Sequence, residues 1–235
     1  MTWYQEWFGE EYLDLYSYRD EEEARRQVDF FSSRIGPILR PVLDLACGSG
    51  RHLQELHNCG YQAFGCDLSY VLLRTAIRDS DASVARSDMR RLPFADGSFG
   101  GLVNFFTSFG YFETEEDNLE VVREMSRVLA SGAPFLFDYL NVPRELKRLV
   151  PREVKKTATG EVVIERWFDS TRRTFNKRIT IGSRSFLERV RAYELDEISV
   201  LFAASGFALH GVFGDFDGRS FDVEAARLIV VGAKI

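Results

Sequence analysis

The sequence predicts an α/β protein whose core is a doubly wound, mostly parallel, seven-stranded sheet, with an antiparallel β lid inserted after its fifth strand. Two observations predict this class. From residue 41 to residue 140, short apolar runs alternate with helical stretches, which is typical of βαβ units and a parallel sheet. After Pro143 the apolar and polar residues alternate with period two between turn residues, which indicates antiparallel strands.

The elements of the first part follow one another regularly. An opening helix is predicted over residues 12–35, because the apolar residues from 28 to 35 share one stripe and a Gly-Pro pair follows. A long helix is predicted over 114–129, with Thr114 as N-cap and acidic residues in its first turn. The other predictions are strands over 41–46, 61–67, 82–88, 99–106 and 133–140, and helices over 51–58 and 69–78.

The second part contains the lid and the closing elements. Alternating runs over 160–169 and 174–184 predict antiparallel strands that pack over one end of the sheet. A helix over 196–204 and strands over 207–213 and 226–234 complete the sheet. We therefore predict a single domain over 1–235, made of a helical cap (1–36), a core (37–142), the lid (143–193) and a C-terminal helix with closing strands (194–235).

Composition limits the class of protein. The chain has 235 residues, of which 45% are hydrophobic, enough for one domain with a full core. No apolar run is long enough to span a bilayer, and the acidic, aromatic N-terminus lacks the features of a secretory signal. Three cysteines without a C-x-x-C pair predict neither a disulfide framework nor a metal site. We expect a cytoplasmic protein with reduced thiols.

The charge is unevenly distributed. The net charge is −6, yet residues 144–191 contain fourteen Lys/Arg against six Asp/Glu, a local charge of +8. Such a basic stretch is either a solvated face of the lid or a surface that attracts an anionic ligand. The stretch also permits a polyanion such as tRNA, although the acidic balance of the whole chain argues against nucleic acid.

The segment VLDLACGSGRHLQEL, residues 42–56, is the strongest indication of a ligand site. A buried strand carries Asp44, and a loop of small residues leads directly into a helix. Glycines let a ligand approach the backbone, and ligands of open α/β sheets bind at this carboxyl end of the strands. Leu53 stands where a dinucleotide-binding loop needs its third glycine, and no Gly-Lys-Ser/Thr follows, so phosphate cradling and a nicotinamide oxidoreductase are disfavoured.

Each of the next three strands also ends in a polar residue. Asp67 follows the second strand, and a carboxylate there can accept two hydrogen bonds from a ribose diol. NAD enzymes share this feature, so it does not discriminate by itself. Asp88 ends the third strand and Asn104 the fourth, which places one candidate at each successive strand end.

The D-x-A-C-G-x-G spacing resembles motif I of class I S-adenosylmethionine (SAM)-dependent methyltransferases, in particular the small bacterial enzymes that modify small molecules, including sugar and amine N-methyltransferases. The resemblance is strong from Val42 to Asp138. It implies the Rossmann-like methyltransferase fold, SAM as cofactor and S-adenosylhomocysteine (SAH) as product. By that resemblance Asp44 helps to position the ammonium group, Asp88 accepts from the adenine amino group, and Arg19 pairs with the carboxylate.

The resemblance also implies a set of contacts with the cofactor. In related enzymes an N-terminal helix closes over SAM, which adds two tyrosines and an arginine to the strand-end residues. The expected cofactor residues are Tyr12, Tyr16, Arg19, Asp44, Ala46, Cys47, Gly48, Gly50, Arg51, His52, Asp67, Leu68, Ser69, Ser87, Asp88, Met89, Asn104, Phe105 and Phe106. Cys47 could serve as a nucleophile, but no base is paired with it, so we expect it to fill the loop.

Methyl transfer from a sulfonium is an in-line displacement with a neutral leaving group, so the protein mainly supplies proximity and alignment. Aromatic faces can stabilise the dispersed positive charge. A base is needed only for a protonated acceptor, and the candidates are Tyr111, Tyr139 and His210. The expected acceptor-binding residues are Ser108, Phe109, Tyr111, Phe112, Tyr139, Arg166 and Trp167.

The leading hypothesis is thus a SAM-dependent methyltransferase, monomer or homodimer, that acts on an amine, hydroxyl or carboxylate of a small molecule. The basic lid favours an acceptor with phosphate or carboxylate, so reversing Arg166 and Arg178 to Glu is predicted to raise the acceptor KM without changing SAM affinity. The alternatives are a tRNA methyltransferase and a SAM-binding protein without turnover.

Overall fold

The computed structural model describes residues 2–16, 21–35, 38–80, 83–157 and 160–235. Within them lie helices α1 (Trp3–Trp7), α2 (Glu10–Leu15), α3 (Glu21–Arg34), α4 (Arg51–Asn58), α5 (Tyr70–Ser80), α6 (Glu115–Val128), α7 (Val142–Arg148) and α8 (Leu195–Ala204). The strands are β1 (Val42–Leu45), β2 (Ala63–Asp67), β3 (Val84–Arg86), β4 (Gly101–Asn104), β5 (Pro134–Tyr139), β6 (Arg152–Thr157), β7 (Gly160–Asp169), β8 (Thr174–Ile181), β9 (Arg184–Arg191), β10 (Phe207–Phe213) and β11 (Leu228–Lys234).

The central sheet confirms the predicted fold class. Its seven strands have the order β10-β11-β5-β4-β1-β2-β3. The strands from β3 to β5 are parallel, whereas β11 runs antiparallel between β5 and β10. The strand order reverses beside β1, so the carboxyl ends of β1 and β4 open a crevice where ligands of such sheets bind.

Helices cover both faces of this sheet, which explains why most residues of its central strands are apolar and buried. Successive residues of β1, Val42 and Leu43, are both fully buried but belong to opposite faces. Val42 packs with residues of α3 and α4, and Leu43 packs in the cluster that contains residues of α6 and α8. The same alternation repeats in β4 and β5 because side chains of a strand point to opposite faces in turn.

The lid is a separate four-stranded antiparallel sheet with the order β6-β7-β8-β9. The prediction of antiparallel strands is confirmed, and the sheet has two more strands than the two alternating runs indicated. Its apolar face packs against the N-terminal helices: Trp7 of α1 and Leu15 of α2 join the lid residues Val162, Ile179 and Phe186 in one cluster. The lid and the N-terminus therefore form one layer beside the central sheet.

Three local predictions are corrected. The predicted helix over 12–35 is wrong as one element, because α2 ends at Leu15, with Tyr16 as its C-cap, and α3 begins again at Glu21. The apolar stripe begins within α3 at Val28 and Phe31, and its last residue, Ile35, directly follows the helix. Helix α1 lies in the aromatic N-terminus, where we predicted none. Helix α7 was missed because Pro143 indicated a break, although proline fits the first turn of a helix.

No helix in the described ranges combines the length and the apolarity that crossing a bilayer requires.

Candidate active site

The loop after β1 is held in an unusual conformation by a carboxylate from the next strand. Ala46, Gly48 and Gly50 all have positive φ, and Gly50 is the N-cap of α4. The N–H of Gly48 donates to Asp67 Oδ2 at 2.9 Å, and the N–H of Ser69 donates to Asp67 Oδ1 at 2.8 Å. Asp67 therefore fixes the loops after β1 and β2 to each other, at the edge of the main cavity.

Cys47 fills space within this loop. A Cβ added to Gly65 of β2 would lie 2.6 Å from its sulfur, so the two strands are close-packed there. Burial and the nearby carboxylates of Asp44 and Asp67 raise the pKa of the Cys47 thiol well above its usual value. A thiol held protonated in this way is a poor nucleophile, so the structure supports the loop-filling role.

Asp44 is buried, and one of its carboxylate oxygens lacks a hydrogen-bond partner among the described residues. Its side chain is 1% exposed, and the oxygen concerned is Oδ2. Burial raises the pKa of this carboxyl well above its usual value, the charge of Asp67 raises it further, and Arg51 opposes both. A cation bound beside Oδ2 would relieve this cost. The site therefore fits the ammonium group of an amino-acid ligand such as SAM.

The strand ends open into a cavity of about 430 Å³, which adjoins a smaller hollow of about 170 Å³ beside Asp44. Most of the expected cofactor and acceptor residues line one or both of these spaces. They are Tyr12, Tyr16, Asp44, Ala46, Cys47, Gly48, Arg51, His52, Asp67, Leu68, Ser69, Ser87, Asp88, Met89, Phe105, Phe106, Ser108, Tyr111 and Phe112.

Asp88, at the far end of the cavity, is tied to its own loop. Arg90 donates from Nη2 to Asp88 Oδ2 at 2.7 Å and from Nε to Oδ1 at 3.1 Å. Burial alone would raise the pKa of Asp88, but the hydrogen bonds and charge of Arg90 together outweigh it and hold this pKa below its usual value. Asp88 is thus an ionised hydrogen-bond acceptor with Met89 beside it, as an adenine site requires.

The loop after β4 forms the wall between the two spaces. Phe106 borders both, and Ser108 does as well. The Arg51 guanidinium lies 5.2 Å from the centre of the Phe106 ring. Behind this loop, the buried carboxylate of Asp138 pairs with Arg227, with Nε and Oδ1 2.7 Å apart.

Another part of the cavity wall is built by the N-terminal segment and the lid. Trp3 and Phe8 of the N-terminal segment contact Tyr111, with ring centres 5.0 and 5.9 Å apart. From the lid, Lys177 Nζ pairs with Glu188 Oε2 at 2.9 Å. Glu188 Oε1 accepts from the Trp7 indole N–H at 2.5 Å, and Lys177 also contacts the hydroxyl of Tyr16.

Sequence reasoning missed several of these residues. The aromatic run WYQEWF at the N-terminus contributes Trp3, Tyr4 and Phe8 to the cavity wall, and its unusual density of large rings was the available signal. Glu145, Lys177, Glu188 and Arg227 also line the cavity. Nothing local distinguishes them from other charged residues, because only the tertiary structure brings their elements together.

Other expected site residues do not line these two spaces. Gly50 caps α4, and Asn104 is buried with its amide donating to the Leu45 carbonyl at 2.8 Å. Phe109 and Tyr139 are core residues, and the Tyr139 hydroxyl donates to the Arg191 carbonyl. Burial raises the pKa of Tyr139, so it is not placed to act as a base.

The remaining predictions of catalytic or acceptor residues fall elsewhere. His210 is exposed at a bulge of β10. This strand lies at the edge of the central sheet, away from the crevice at the carboxyl ends of β1 and β4. Arg166 lines a neighbouring groove of about 620 Å³ between α7 and the lid. Trp167 is 37% exposed beneath the Arg178 guanidinium. Arg19 lies outside the described residues.

The charges of the basic lid are largely compensated. Arg166 pairs with Glu153 at 2.8 Å, Arg173 with Glu197 at 2.7 Å. Other lid arginines reach acidic residues outside the lid: Arg184 pairs with Glu11, Arg189 with Glu113 and Arg191 with Glu115. These ion pairs offset part of the local excess of +8 that the sequence shows.

Residues 42–132 match the family described as "Methyltransferase domain". Among curated proteins, the chain is similar to a putative methyltransferase, YqeM, of Bacillus subtilis, with 34% identity over 101 residues that make up 41% of each protein. The chain spans less than two thirds of the lengths of the first curated relatives it matches. The family match covers the loops that follow β1, β2, β3 and β4.

Solved structures show the same fold over nearly the whole chain. The CcbJ methyltransferase from Streptomyces caelestis is 17% identical, with a TM-score of 0.78 over 92% of this chain and 99% of that one. CalS10, an amino pentose methyltransferase from Micromonospora echinaspora solved with SAM bound, is 19% identical, with a TM-score of 0.67 over 92% of both chains. At these identities the likeness concerns the fold.

Proposed function

Because this chain belongs to the class I SAM-dependent methyltransferase family, we propose that it transfers a methyl group from SAM to an amine of a small molecule. The observation that carries the cofactor half is the buried Asp44 carboxylate, whose Oδ2 lacks a partner within the described ranges and whose pKa is raised by burial. A cationic amino-acid group is the ligand chemistry that offsets such a carboxylate.

The residues around the glycine loop have separable roles in this proposal. Asp44 binds the ammonium group, and Asp88 accepts a hydrogen bond from the adenine amino group. Asp67 accepts hydrogen bonds from the ribose hydroxyls through the lone pairs that are not used by the N–H groups of Gly48 and Ser69. Met89 packs against the adenine ring. When bound, SAM supplies an electrophilic methyl group, whose departure leaves a neutral thioether. The chain itself supplies alignment and excludes water.

The acceptor side supports a small molecule. It is enclosed by the N-terminal helices, the lid and the loop after β4, and its walls carry the rings of Trp3, Phe8, Tyr12, Tyr111 and Phe112. Aromatic faces attract cations and stabilise the positive charge that disperses during methyl transfer. An extended polyanion such as tRNA would need open cationic surface, whereas the lid arginines named above are paired.

An amine is favoured over an anionic acceptor by the charges of the wall. Lys177 and Arg227, the cations among the described residues that line the main cavity, are engaged by Glu188 and Asp138. An anionic acceptor would have to compete with these carboxylates. Glu145 and Glu188 add negative charge to this wall, and Tyr111 is the candidate to accept a proton from an ammonium group before the nitrogen attacks. CalS10, which shares the fold, is an amino pentose methyltransferase, and this agrees with an amine acceptor.

We further propose that the protein works in the cytoplasm, since the three cysteines of the chain are free thiols.

The experiment is an acceptor screen with purified protein and SAM, in which SAH formation is measured by mass spectrometry. The panel contains amino sugars, alkylamines, alcohols, carboxylic acids and bulk tRNA. We expect SAH and a methylated product with at least one amine. Methylation of tRNA alone, or of a carboxylic acid alone, would contradict the acceptor. SAM binding without turnover on any member would favour a non-catalytic protein, and absence of SAM binding would overturn the proposal entirely.

The test variant is Asp44→Asn, which should abolish turnover with every acceptor at the same SAM concentration. Its matched control is another aspartate. An Asp29→Asn variant, which changes an aspartate on α3 that lines neither space, should turn over like the wild type.

A further inference from the structure

The loop after β4 contains two consecutive residues in a strained conformation. Phe106 has a φ of 60° and Thr107 a φ of 59°. Residues other than glycine rarely adopt this left-handed region, and for a β-branched residue such as threonine it is an outlier. Such a residue carries a conformational cost and persists only where the surrounding structure imposes it. Something outside the loop must therefore hold it.

Asp138 at the end of β5 holds the backbone of the loop. Its Oδ2 accepts from the N–H of Phe106 at 2.8 Å, and its main-chain carbonyl accepts from the N–H of Thr107 at 3.0 Å. The side chain of Asp138 is 1% exposed, so these hydrogen bonds form in a nearly water-free environment. Burying a carboxylate is costly unless a cation pairs with it.

Arg227 supplies that charge and a second hold on the loop. Its Nε donates to Asp138 Oδ1 at 2.7 Å, and its Nη2 donates to Thr107 Oγ1, also at 2.7 Å. The guanidinium fork thus bridges the buried carboxylate and the strained residue. Arg227 directly precedes β11, which pairs with β5 from Leu228 opposite Tyr139, so the antiparallel strand brings the arginine to the loop.

The loop held in this way is the wall of the site. Phe106 borders both the main cavity and the hollow beside Asp44, and Thr107 and Ser108 line the main cavity. The Phe106 ring also lies near the His52 ring, with their centres 5.8 Å apart. If the loop relaxed to an ordinary φ, the Phe106 ring would leave its place between the two spaces.

We propose that Asp138 and Arg227 are positioning residues that impose the left-handed conformation of Phe106 and Thr107 and so set the wall between the main cavity and the hollow beside Asp44. This inference rests on the proposed function only because SAH serves as the probe. The pair lies outside the glycine loop and the acidic strand ends to which the family resemblance assigns cofactor contacts.

The test is isothermal titration of the full chain with SAH. Arg227→Gln should weaken SAH binding about tenfold, because the fork and its charge are lost. Adding Thr107→Gly to that variant should restore affinity to within about threefold of the wild type, since glycine adopts positive φ without strain. A merely structural role of Arg227 would not be repaired by glycine, which loosens a chain further.

The matched control is Arg219→Gln, which removes an exposed arginine paired with Asp222 in the connection between β10 and β11. It should bind SAH like the wild type. If Arg227→Gln does not fold, the comparison is made between Arg227→Lys and Arg227→Lys with Thr107→Gly, with the same direction of rescue.

Two outcomes would overturn the inference while leaving the proposed function intact. In the first, the wild type binds SAH and Arg227→Gln binds it within about twofold. In the second, the affinity falls but Thr107→Gly deepens the loss. Failure of the wild type itself to bind SAH would instead reject the proposed function.

Discussion

The proposed cofactor half and the proposed acceptor half of the cavity are built in different ways. The cofactor half uses strand ends between Asp44 and Arg90, and its key groups are held by neighbouring backbone, as Asp67 is by Gly48 and Ser69. The acceptor half joins Trp3, Glu188 and Arg227, which lie on three distant parts of the chain, and it depends on side-chain pairs. A site of the first kind is encoded locally, whereas one of the second kind exists only after folding.

The largest effect should come from the cofactor half. Asp44→Asn removes the buried partner of the ammonium group and should weaken SAH binding about 100-fold, as loss of one member of a buried charge pair does. Isothermal titration measures this. A loss below about threefold would mean that the carboxylate does not contact the ligand.

The same substitution should stabilise the ligand-free protein. The pKa of Asp44 is raised in the folded state, so its contribution to stability is full below the unfolded pKa and is lost as pH rises through the folded pKa. Asparagine does not ionise, so the Asp44→Asn variant does not lose this stability at neutral pH. We expect the Tm of the ligand-free variant to rise by about 2 to 4 °C, measured by calorimetry. A fall in Tm would contradict the unpaired state of the carboxylate.

The second effect is the pH dependence of binding. A bound ammonium group stabilises the Asp44 carboxylate, so its pKa is lower in the complex than in the free protein, and binding releases a proton. Affinity for SAH should therefore rise about tenfold between about pH 5 and about pH 8. Titrations across this range check it, with Asp44→Asn as the control whose affinity stays flat. A wild-type affinity independent of pH would exclude titration of this group.

The third effect separates the two halves. Glu188→Gln should raise the KM for the amine found in the screen about tenfold, while SAH affinity changes less than twofold, because the carboxylate faces the acceptor side. The matched control is Glu161→Gln, an exposed glutamate of β7, which should leave both constants unchanged. Equal loss of SAH affinity in Glu188→Gln would mean that the two halves are not independent.

The smallest effect concerns the lid charges. Arg166 and Arg178 lie opposite Lys177 and Glu165 in adjacent register positions, so they point to opposite faces of the lid. The predicted rise in acceptor KM after reversal to Glu should therefore be confined to Arg166→Glu, at about two- to threefold, and absent in Arg178→Glu. Steady-state kinetics distinguish the two. A larger rise in Arg178→Glu would show that the lid attracts the acceptor through its outer face.

The sequence by itself determined the central fold and the cofactor loops. Periodicity located every strand of the seven-stranded sheet, and helix α4 was predicted with the bounds that the structure gives, Arg51–Asn58. Thr114 caps α6 as expected, accepting from the N–H of Asp117 at 3.1 Å. These features depend on residues close in the chain, because strand burial, turn chemistry and helix caps are local properties.

The tertiary structure alone decided the acceptor side. It buried Tyr139 in the core, placed His210 on an edge strand, and paired the lid arginines with acids. It also brought Arg227 to Asp138, 89 residues away in sequence, through the antiparallel pairing of β11 with β5. Charge counts and aromatic runs do not contain this information, because which side chains meet depends on the path of strands that are distant in sequence.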